Sequence, residues 1–249
     1  MTPPILFLIF KRPDKTQAVF ETIRAARPSR LYVGADGPRP DRPGEAELCE
    51  QTRAIIQVVD WPCEVKTLFR SDNLGCQKAV SGAVTWFFQH EAEGVILEDD
   101  IVVDPTFFPF AAQLLDRYRD TPEVMSITAC NMQPQDRYYS ASYYFSCFNH
   151  VWGWASWRRA WVHFDASLDD LETDAAQHTI ASACPAEGSD SFWLNALRRV
   201  RDGHTDSWAV PWLLSQWKAG GLTVTPSVNL MQNIGFDDAG THTTSADQW

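Results

Sequence analysis

The sequence lacks any apolar run long enough to cross a membrane. Its longest candidate covers only residues 4–10, whereas a helical span needs about 20 residues. No basic segment precedes this run, so it does not have the layout of a secretory signal peptide. We therefore expect a soluble protein without stable membrane insertion. The expected location is the cytoplasm, either free or bound peripherally to the inner face of the membrane.

Positive charge is also scarce. The sequence has 21 Lys and Arg against 32 Asp and Glu, and its formal net charge is −11 at pH 7. Affinity for nucleic acid comes largely from Lys and Arg on phosphates, and anionic lipids attract polybasic segments. The charge balance therefore argues against both kinds of partner. It stays compatible with a single nucleotide, which needs only a few local cations or one metal ion.

Cysteine is sparse and is not spaced for metal binding. None of the six cysteines forms a C-x-x-C pair or another zinc spacing, and the chain is not a short, cysteine-dense scaffold. The sequence therefore predicts free, buried thiols in a reducing compartment. Internal repeats, low-complexity stretches and a clear linker are absent as well, which favours one domain over residues 1–249.

What the first hundred residues do contain is an alternation of strand and helix patterns. Three short apolar runs and the mixed segment 63–69 are predicted to be strands, and each of the first three predicted strands is followed by a helical pattern. The predicted strands are residues 4–10, 31–33, 63–69 and 94–97, and the predicted helices are 15–26, 46–59 and 76–90. This alternation indicates an α/β fold with a mostly parallel sheet covered by helices on both faces.

The second half is less regular. Its patterns predict helices at 105–119, 190–201 and 208–219, and strands at 123–128 and 222–224. Residues 130–162 are rich in Tyr, Trp and Phe but show no clean periodicity. From residue 230 onwards the composition is that of turns. An aromatic-rich C-terminal lobe on the α/β half is the simplest interpretation.

The strongest chemical signal is three contiguous acids, Glu98, Asp99 and Asp100, directly after the fourth predicted strand. Adjacent carboxylates repel each other, and a divalent cation removes that cost. Oxygen ligands suit Mg²⁺ or Mn²⁺, and open α/β sheets bind ligands beyond the carboxyl ends of their strands. The triplet therefore favours a metal site. The alternative is a solvated acidic turn that caps a helix starting near Pro105.

The triplet and the following Pro105-Thr106-Phe107-Phe108 resemble the metal motif of GT-A glycosyltransferases, in particular of the N-acetylglucosaminyltransferase I family. The chain also resembles a bacterial group of nucleotide-diphospho-sugar transferases and family-2-like sugar transferases, through six segments that run in order. These are Ile9-Phe10-Lys11-Arg12-Pro13, Ala35-Asp36-Gly37-Pro38-Arg39, Asn73-Leu74-Gly75-Cys76, Trp152-Gly153-Trp154-Ala155-Ser156-Trp157, Asp206-Ser207-Trp208 and Asn233-Ile234-Gly235-Phe236. The resemblance implies a Rossmann-like GT-A fold, with a nucleotide-binding half (1–104) and an acceptor-binding half that ends in a C-terminal loop (105–249).

The resemblance also assigns roles by position. It makes Asp100 the metal ligand and places Asp99 near the ribose and Glu98 near the donor sugar. Asp36 matches the acid that recognises the base of the nucleotide, and Arg12 matches a basic residue near the phosphates. From the residues alone, the alternatives are a turn residue before Gly-Pro for Asp36 and a solvated loop arginine for Arg12.

Aromatic residues and the C-terminal loop complete the implied site. The segment around Trp154, together with Trp208, becomes part of the wall that holds the sugars, and a count of 11 Trp supports an aromatic ligand surface. The alternative for these Trp residues is core packing. His242 lies in a loop of Gly and Thr, and the resemblance implies that it contacts the metal or the diphosphate; alone, it would be a solvated histidine.

An inverting transferase needs a general base that takes the proton of the acceptor hydroxyl. In the N-acetylglucosaminyltransferase I pattern this base directly follows the Trp that corresponds to Trp208, and here that position is Ala209. We therefore predict Asp206 as the base, with Asp190 in reserve. The alternative for Asp206 is a cap on the helix that begins near Trp208.

The sequence thus predicts a glycosyltransferase of hexosyltransferase type that depends on Mn²⁺ or Mg²⁺. It would move a sugar from a nucleotide-diphosphate donor, a UDP-sugar, to a hydroxyl of a glycan or lipid-linked saccharide for surface polysaccharide. Inversion is the expected outcome and retention is the alternative, because the sequence does not fix the face of attack. Two rivals stay open. A sugar nucleotidyltransferase would need a glycine-rich loop where residues 11–13 have none, and a non-catalytic glycan-binding protein would not need three contiguous acids.

Overall fold

The computed structural model of the protein describes residues 1–134 and 140–236, which form ten strands and eight α-helices. The strands are β1 (Ile5–Ile9), β2 (Arg30–Ala35), β3 (Glu64–Phe69), β4 (Glu93–Glu98), β5 (Ile101–Val103), β6 (Val124–Thr128), β7 (Tyr143–Ser146), β8 (Trp154–Trp157), β9 (Leu222–Pro226) and β10 (Met231–Asn233). The helices are α1 (Pro13–Ala26), α2 (Glu45–Ala54), α3 (Cys76–His90), α4 (Phe107–Arg117), α5 (Arg158–Trp161), α6 (Asp174–Ala183), α7 (Ser189–Arg201) and α8 (Ala209–Lys218). A short 3₁₀ helix, Ile55–Val58, continues α2.

Eight of these strands form one sheet in the order β3-β2-β1-β4-β8-β6-β9-β7. The first four run parallel to each other, β8 runs antiparallel to both of its neighbours, and β7 runs antiparallel to β9. Because β6 and β9 are parallel to each other and opposite to β8, six of the eight strands point the same way. The predicted α/β fold with a mostly parallel sheet is confirmed.

The order of the strands creates a crevice beside β1. The chain moves outward from β1 to β2 and β3, and then returns to place β4 on the other side of β1. The chain segments that follow β1 and β4 lead away from each other, which leaves space at the carboxyl ends of these two strands. Open α/β sheets bind their ligands at such a switch point.

Helices cover both faces of the sheet, which explains why its inner strands are continuously apolar. On β1, Ile5, Phe7 and Ile9 face a core built with α1 and α4, whereas Leu6 and Leu8 face a second core built with α3, α5 and α8. All five residues are nearly or fully buried. A third cluster joins α6, α7 and α8 into a small helical lobe.

The sequence patterns missed several strands of the second half. These strands are short, or they pair with segments that are distant in sequence. The β8 strand is only four residues long and fully buried between β4 and β6, so no alternation marks it. Among the described residues, the three-residue strands β5 and β10 pair with each other and with no other strand. The expectation of turns from residue 230 onwards is therefore corrected at Met231–Asn233, where pairing across more than a hundred residues overrides local composition.

The six cysteines are free, as predicted, but only Cys49, Cys130 and Cys184 are buried, and the other three are partly exposed. Among the described residues, no helix combines the length and the apolar character that crossing a membrane requires.

Four tryptophans meet in the second core. Trp154 and Trp208 are stacked with their ring centroids 5.6 Å apart, and Trp161 and Trp212 pack against them. The exposed fraction is 1% for Trp154 and 3% for Trp208. Neither ring leaves a face free for a sugar. The prediction that Trp154 and Trp208 line a sugar site is therefore corrected: both belong to the core.

This packing predicts a large stability difference between two aromatic substitutions. Trp154→Ala removes a fully enclosed indole and should lower the free energy of unfolding by about 3–5 kcal/mol. Phe192→Ala is the matched control, because Phe192 is 64% exposed and its loss should change stability by no more than about 0.5 kcal/mol. Urea unfolding followed by tryptophan fluorescence measures both. Equal effects of the two substitutions would contradict the assigned core.

Candidate active site

A cavity of about 280 Å³ opens at the carboxyl ends of β1 to β4. Each of the four strands contributes the residues that follow it. The lining includes Phe10 and Arg12 after β1, Asp36 and Arg39 after β2, Arg70 and Asn73 after β3, and Glu98, Asp99 and Asp100 at the end of β4. The far wall is formed by Gly75, Cys76, Trp152, Asp206, Asn233, Gly235 and Phe236. Six residues predicted to belong to a site are thus brought together: Arg12, Asp36, Glu98, Asp99, Asp100 and Asp206.

The acidic triplet lies where β4 turns into β5. Glu98 ends β4, and Asp99 and Asp100 form the tight turn between the two strands. Loss of hydration, followed by the charges of Asp100 and Asp99, raises the pKa of Glu98 to about 8. Burial also raises the pKa of Asp99 to about 6, although the neighbouring Arg12 acts in the opposite direction. Three carboxyl groups therefore crowd one end of the cavity, and the raised pKa values of Glu98 and Asp99 reflect the cost of holding negative charge there.

Arg12 supplies positive charge to this group. Its Nη2 donates to Asp99 Oδ1 and, over 2.9 Å, to Asp100 Oδ2. The arginine precedes Pro13, the first residue of α1, and its carbonyl oxygen accepts a hydrogen bond from the backbone N–H of Thr16 at 2.9 Å. Burial lowers the pKa of Arg12, but the two carboxylates outweigh it and raise the pKa above its ordinary value. The guanidinium therefore stays charged.

The residues of the triplet fit a divalent cation that is completed by a ligand. The described ranges contain no cluster of three or more His, Cys, Asp or Glu that could hold a metal by itself. At nucleotide sites Mg²⁺ needs fewer protein ligands, because one or two carboxylates hold it together with substrate phosphates and water. Asp99 Oδ2 is buried without a hydrogen-bond partner, and Gly235 lies so close to Asp100 that a Cβ would collide with its Oδ2. Asp99 thus has a buried oxygen without a partner, and Asp100 lies against a residue that has no side chain to crowd its carboxylate.

Gly235 reaches this position through the ribbon of β5 and β10. The backbone N–H of Ile234 donates to the carbonyl oxygen of Asp100 at 2.9 Å, which places Gly235 beside the carboxylate. His242, the other predicted metal ligand, lies outside the described residues.

Asp36 ends β2 and is only 9% exposed. Its two carboxylate oxygens accept the backbone N–H of Leu74 at 3.1 and 3.0 Å, and burial raises its pKa. The loop after it is tied to the loop after β3, since Asn73 Nδ2 donates to the carbonyl oxygen of Gly37 at 2.8 Å. The predicted base-recognition residue is therefore held on the cavity wall by neighbouring loops.

Sequence reasoning gave no role to two arginines that line the cavity. Arg39 lies above the ring of Phe10, 5.9 Å from its centroid, and its Nε donates to the buried Glu45 at 3.0 Å. Lys11 Nζ donates to the same carboxylate at 2.9 Å. Arg70 lines the cavity at the end of β3. Arg39 belongs to one of the six resembling segments, but Glu45 carries no local signal because its partners come from two different loops.

Asp206 lies exposed at the cavity rim and caps a distant helix. Its Oδ2 accepts the backbone N–H of Cys76 at 2.6 Å, and its Oδ1 accepts that of Gln77 at 2.8 Å. Gly75 makes room for this contact, because a Cβ there would lie 2.6 Å from Oδ2 and the backbone has a positive φ of 79°. The helix that follows Asp206 in sequence, α8, has Trp208 as its N-cap and no side-chain cap. The alternative that Asp206 caps its own helix is therefore wrong, because it caps α3.

The remaining predicted residues lie away from the cavity. Asp190 is exposed in the first turn of α7, where its Oδ1 accepts the backbone N–H of Ser191 at 2.7 Å. Trp154 and Trp208 are in the core. The aromatic wall comes instead from Trp152 and Phe236, whose ring centroids are 5.9 Å apart.

Comparisons with known proteins give only remote similarities. No protein-family model and no curated protein sequence matches this chain. A structure of galactosyltransferase LgtC with donor and acceptor sugar analogues is 11% identical with a TM-score of 0.46, over 88% of this chain and 72% of that one. S. aureus TarS 1–349 is 10% identical with a TM-score of 0.48, over 92% of this chain and 59% of that one. UDP-glucose pyrophosphorylase with UDP-glucose is 8% identical with a TM-score of 0.45, over 92% and 91%.

These similarities carry no argument about function, since every TM-score quoted is below 0.5. The specific likeness to the N-acetylglucosaminyltransferase I family stays a prediction. What the cavity binds and does is inferred from its own residues.

Proposed function

We propose that the protein is a metal-dependent glycosyltransferase that takes a sugar from a nucleotide-diphosphate donor and adds it to the hydroxyl of a glycan or lipid-linked saccharide. The observation that carries this proposal is a cavity at the β1/β4 switch point whose lining combines three contiguous acidic residues with Arg12, Arg39 and Arg70. A nucleotide sugar has matching parts. Its diphosphate suits arginines and a metal ion, and its rings suit the aromatic walls.

The donor is proposed to lie across the carboxyl ends of the parallel strands. Asp36, at the end of β2, would accept hydrogen bonds from the base, for which uracil is our choice. Asp99 would lie near the ribose and Glu98 near the donor sugar. Arg12 would contact the phosphates. The base would thus lie at the end of β2, and the ribose, diphosphate and sugar would lie beside the adjacent ends of β1 and β4.

Asp100 would hold the Mn²⁺ or Mg²⁺, with Asp99 Oδ2 as a second oxygen, and His242 is a further proposed ligand. When bound, the metal would offset the negative charge that develops on the leaving diphosphate. The arginines of the cavity would share that task, because guanidinium groups donate to phosphate oxygens with fixed geometry.

Asp206 is the proposed general base. Two backbone N–H groups fix its orientation, and a carboxylate has further lone pairs with which to accept the proton of an acceptor hydroxyl. Its exposure at the rim suits a large acceptor. The attack would invert the anomeric centre. Asp190 is the reserve candidate, although it does not line the cavity.

The sugar nucleotidyltransferase alternative is disfavoured by the connection after β1. Only residues 10–12 separate β1 from α1, and Pro13 starts the helix. This connection has no glycine and little length for a loop that wraps a triphosphate. A non-catalytic glycan-binding protein would gain nothing from three crowded carboxylates.

The first test concerns the metal. Asp100→Ala should abolish the Mn²⁺-dependent part of UDP binding, measured by calorimetry with and without Mn²⁺, because it removes the main protein ligand. It should also abolish the slow Mn²⁺-dependent hydrolysis that the wild type should show towards one nucleotide sugar of a panel. Asp116→Ala is the control, since that carboxylate is exposed on α4. Unchanged metal-linked UDP affinity in Asp100→Ala would refute the assignment.

The second test separates the two roles of Asp206. Asn can accept only one of the two N–H groups at the start of α3, so Asp206→Asn should lose about 0.5–2 kcal/mol of stability. As the base, it should also lower transfer to the acceptor by about 10²–10⁴-fold at unchanged donor affinity. Asp206→Ser, which also retains one hydrogen bond, should behave alike. If transfer by both folded variants stays near the wild-type rate, Asp206 is only a cap.

A further inference from the structure

The negative charge at the end of β4 is partly offset from within the protein. The side chains of Asp99 and Asp100 are only 6% and 18% exposed, and Glu98 lies beside them. Within the described ranges, Arg12 is the cation that makes ion pairs with this triplet. Its own side chain is 16% exposed. The protein therefore carries an internal counter-ion at the place where the proposed function needs a metal.

Arg12 and a metal would compete for the same atom. The guanidinium donates to Oδ2 of Asp100, the residue that is proposed to hold the metal, and Gly235 lies close to the same oxygen without a side chain. A divalent cation bound there would place two positive charges next to a third. Such an arrangement is unfavourable in a partly buried site unless the guanidinium moves away or an anion arrives.

A diphosphate supplies that anion. Its oxygens can accept from the guanidinium and coordinate the cation at the same time, so one ligand satisfies both positive groups. The backbone of Arg12 is fixed as the N-cap of α1 through the hydrogen bond from Thr16. The exchange therefore requires only a rotation of the side chain, from the carboxylates towards the open cavity.

We propose that Arg12 is an internal counter-ion that keeps the metal site closed until the donor's diphosphate arrives. This inference rests on the proposed function and concerns the regulation of its site. Metal and nucleotide then bind with positive cooperativity, and each binds weakly without the other. By linkage, UDP must raise the affinity for Mn²⁺ by the same factor as Mn²⁺ raises the affinity for UDP.

The test measures Mn²⁺ binding without any nucleotide, by electron paramagnetic resonance of the free ion. Arg12→Gln should bind Mn²⁺ alone about tenfold more tightly than the wild type, a typical size for a coupling between two sites. The factor by which UDP strengthens Mn²⁺ binding should fall correspondingly. Arg12→Lys should change both quantities in the same direction but less, because an ammonium lacks the planar fork that bridges two carboxylates.

Arg70→Gln is the matched control. It removes a positive charge from the same cavity, yet the described contacts include none between Arg70 and the triplet. Its Mn²⁺ affinity without nucleotide should stay near that of the wild type. Circular dichroism confirms that each variant is folded, and Arg12→Lys carries the test if Arg12→Gln does not fold.

The inference is overturned if Arg12→Gln, or Arg12→Lys in its place, binds Mn²⁺ alone no more tightly than the wild type. It is also overturned if Arg70→Gln gains as much affinity for Mn²⁺ as Arg12→Gln does. The gain would then come from the lower positive charge of the cavity and not from lost competition for Asp100. The proposed function fails separately, if the wild type neither binds nor hydrolyses any nucleotide sugar. Tighter Mn²⁺ binding by the Arg12 variants would still support the counter-ion in that case.

Discussion

Three adjacent carboxylates at the end of a buried strand need compensating charge, and the surrounding structure provides it. The β4 strand lies between β1 and β8, and the side chains of Asp99 and Asp100 at its end are largely buried. Arg12 reaches it from the end of β1, the neighbouring parallel strand. Parallel pairing is what makes this possible, because the carboxyl ends of β1 and β4 lie at the same edge of the sheet.

The second half of the chain completes the cavity from the opposite side. The antiparallel strand β8 pairs with β4, and Trp152, which precedes β8, therefore lies near the carboxyl end of β4. The ribbon of β5 and β10 delivers Gly235 to Asp100, and Asp206 caps α3 across 130 residues of sequence. The polar groups on the cavity wall are thus held by contacts between the two halves. The stability of the core and the geometry of the site are therefore linked.

The sequence predicts the parallel half of the sheet and the position of the triplet well, because both depend on local patterns. Apolar runs mark β1, β2 and β4, and three acids directly after a strand point to the edge of the sheet at which the cavity opens. It predicts the aromatic half poorly. Residue type alone does not tell that Trp152 lines the cavity while Trp154, two residues on, is buried in the core. Nor could it show that Asp206 caps α3, since that contact depends on tertiary structure.

The most direct measurement is a crystal structure of the protein with UDP and Mn²⁺, with the metal located by anomalous scattering. We expect the manganese peak between the Asp100 carboxylate and the diphosphate, and the uracil beside Asp36 in the cavity at the ends of β1, β2 and β4. A nucleotide bound outside this cavity, or a manganese ion without contact to Asp100, would contradict the proposed site.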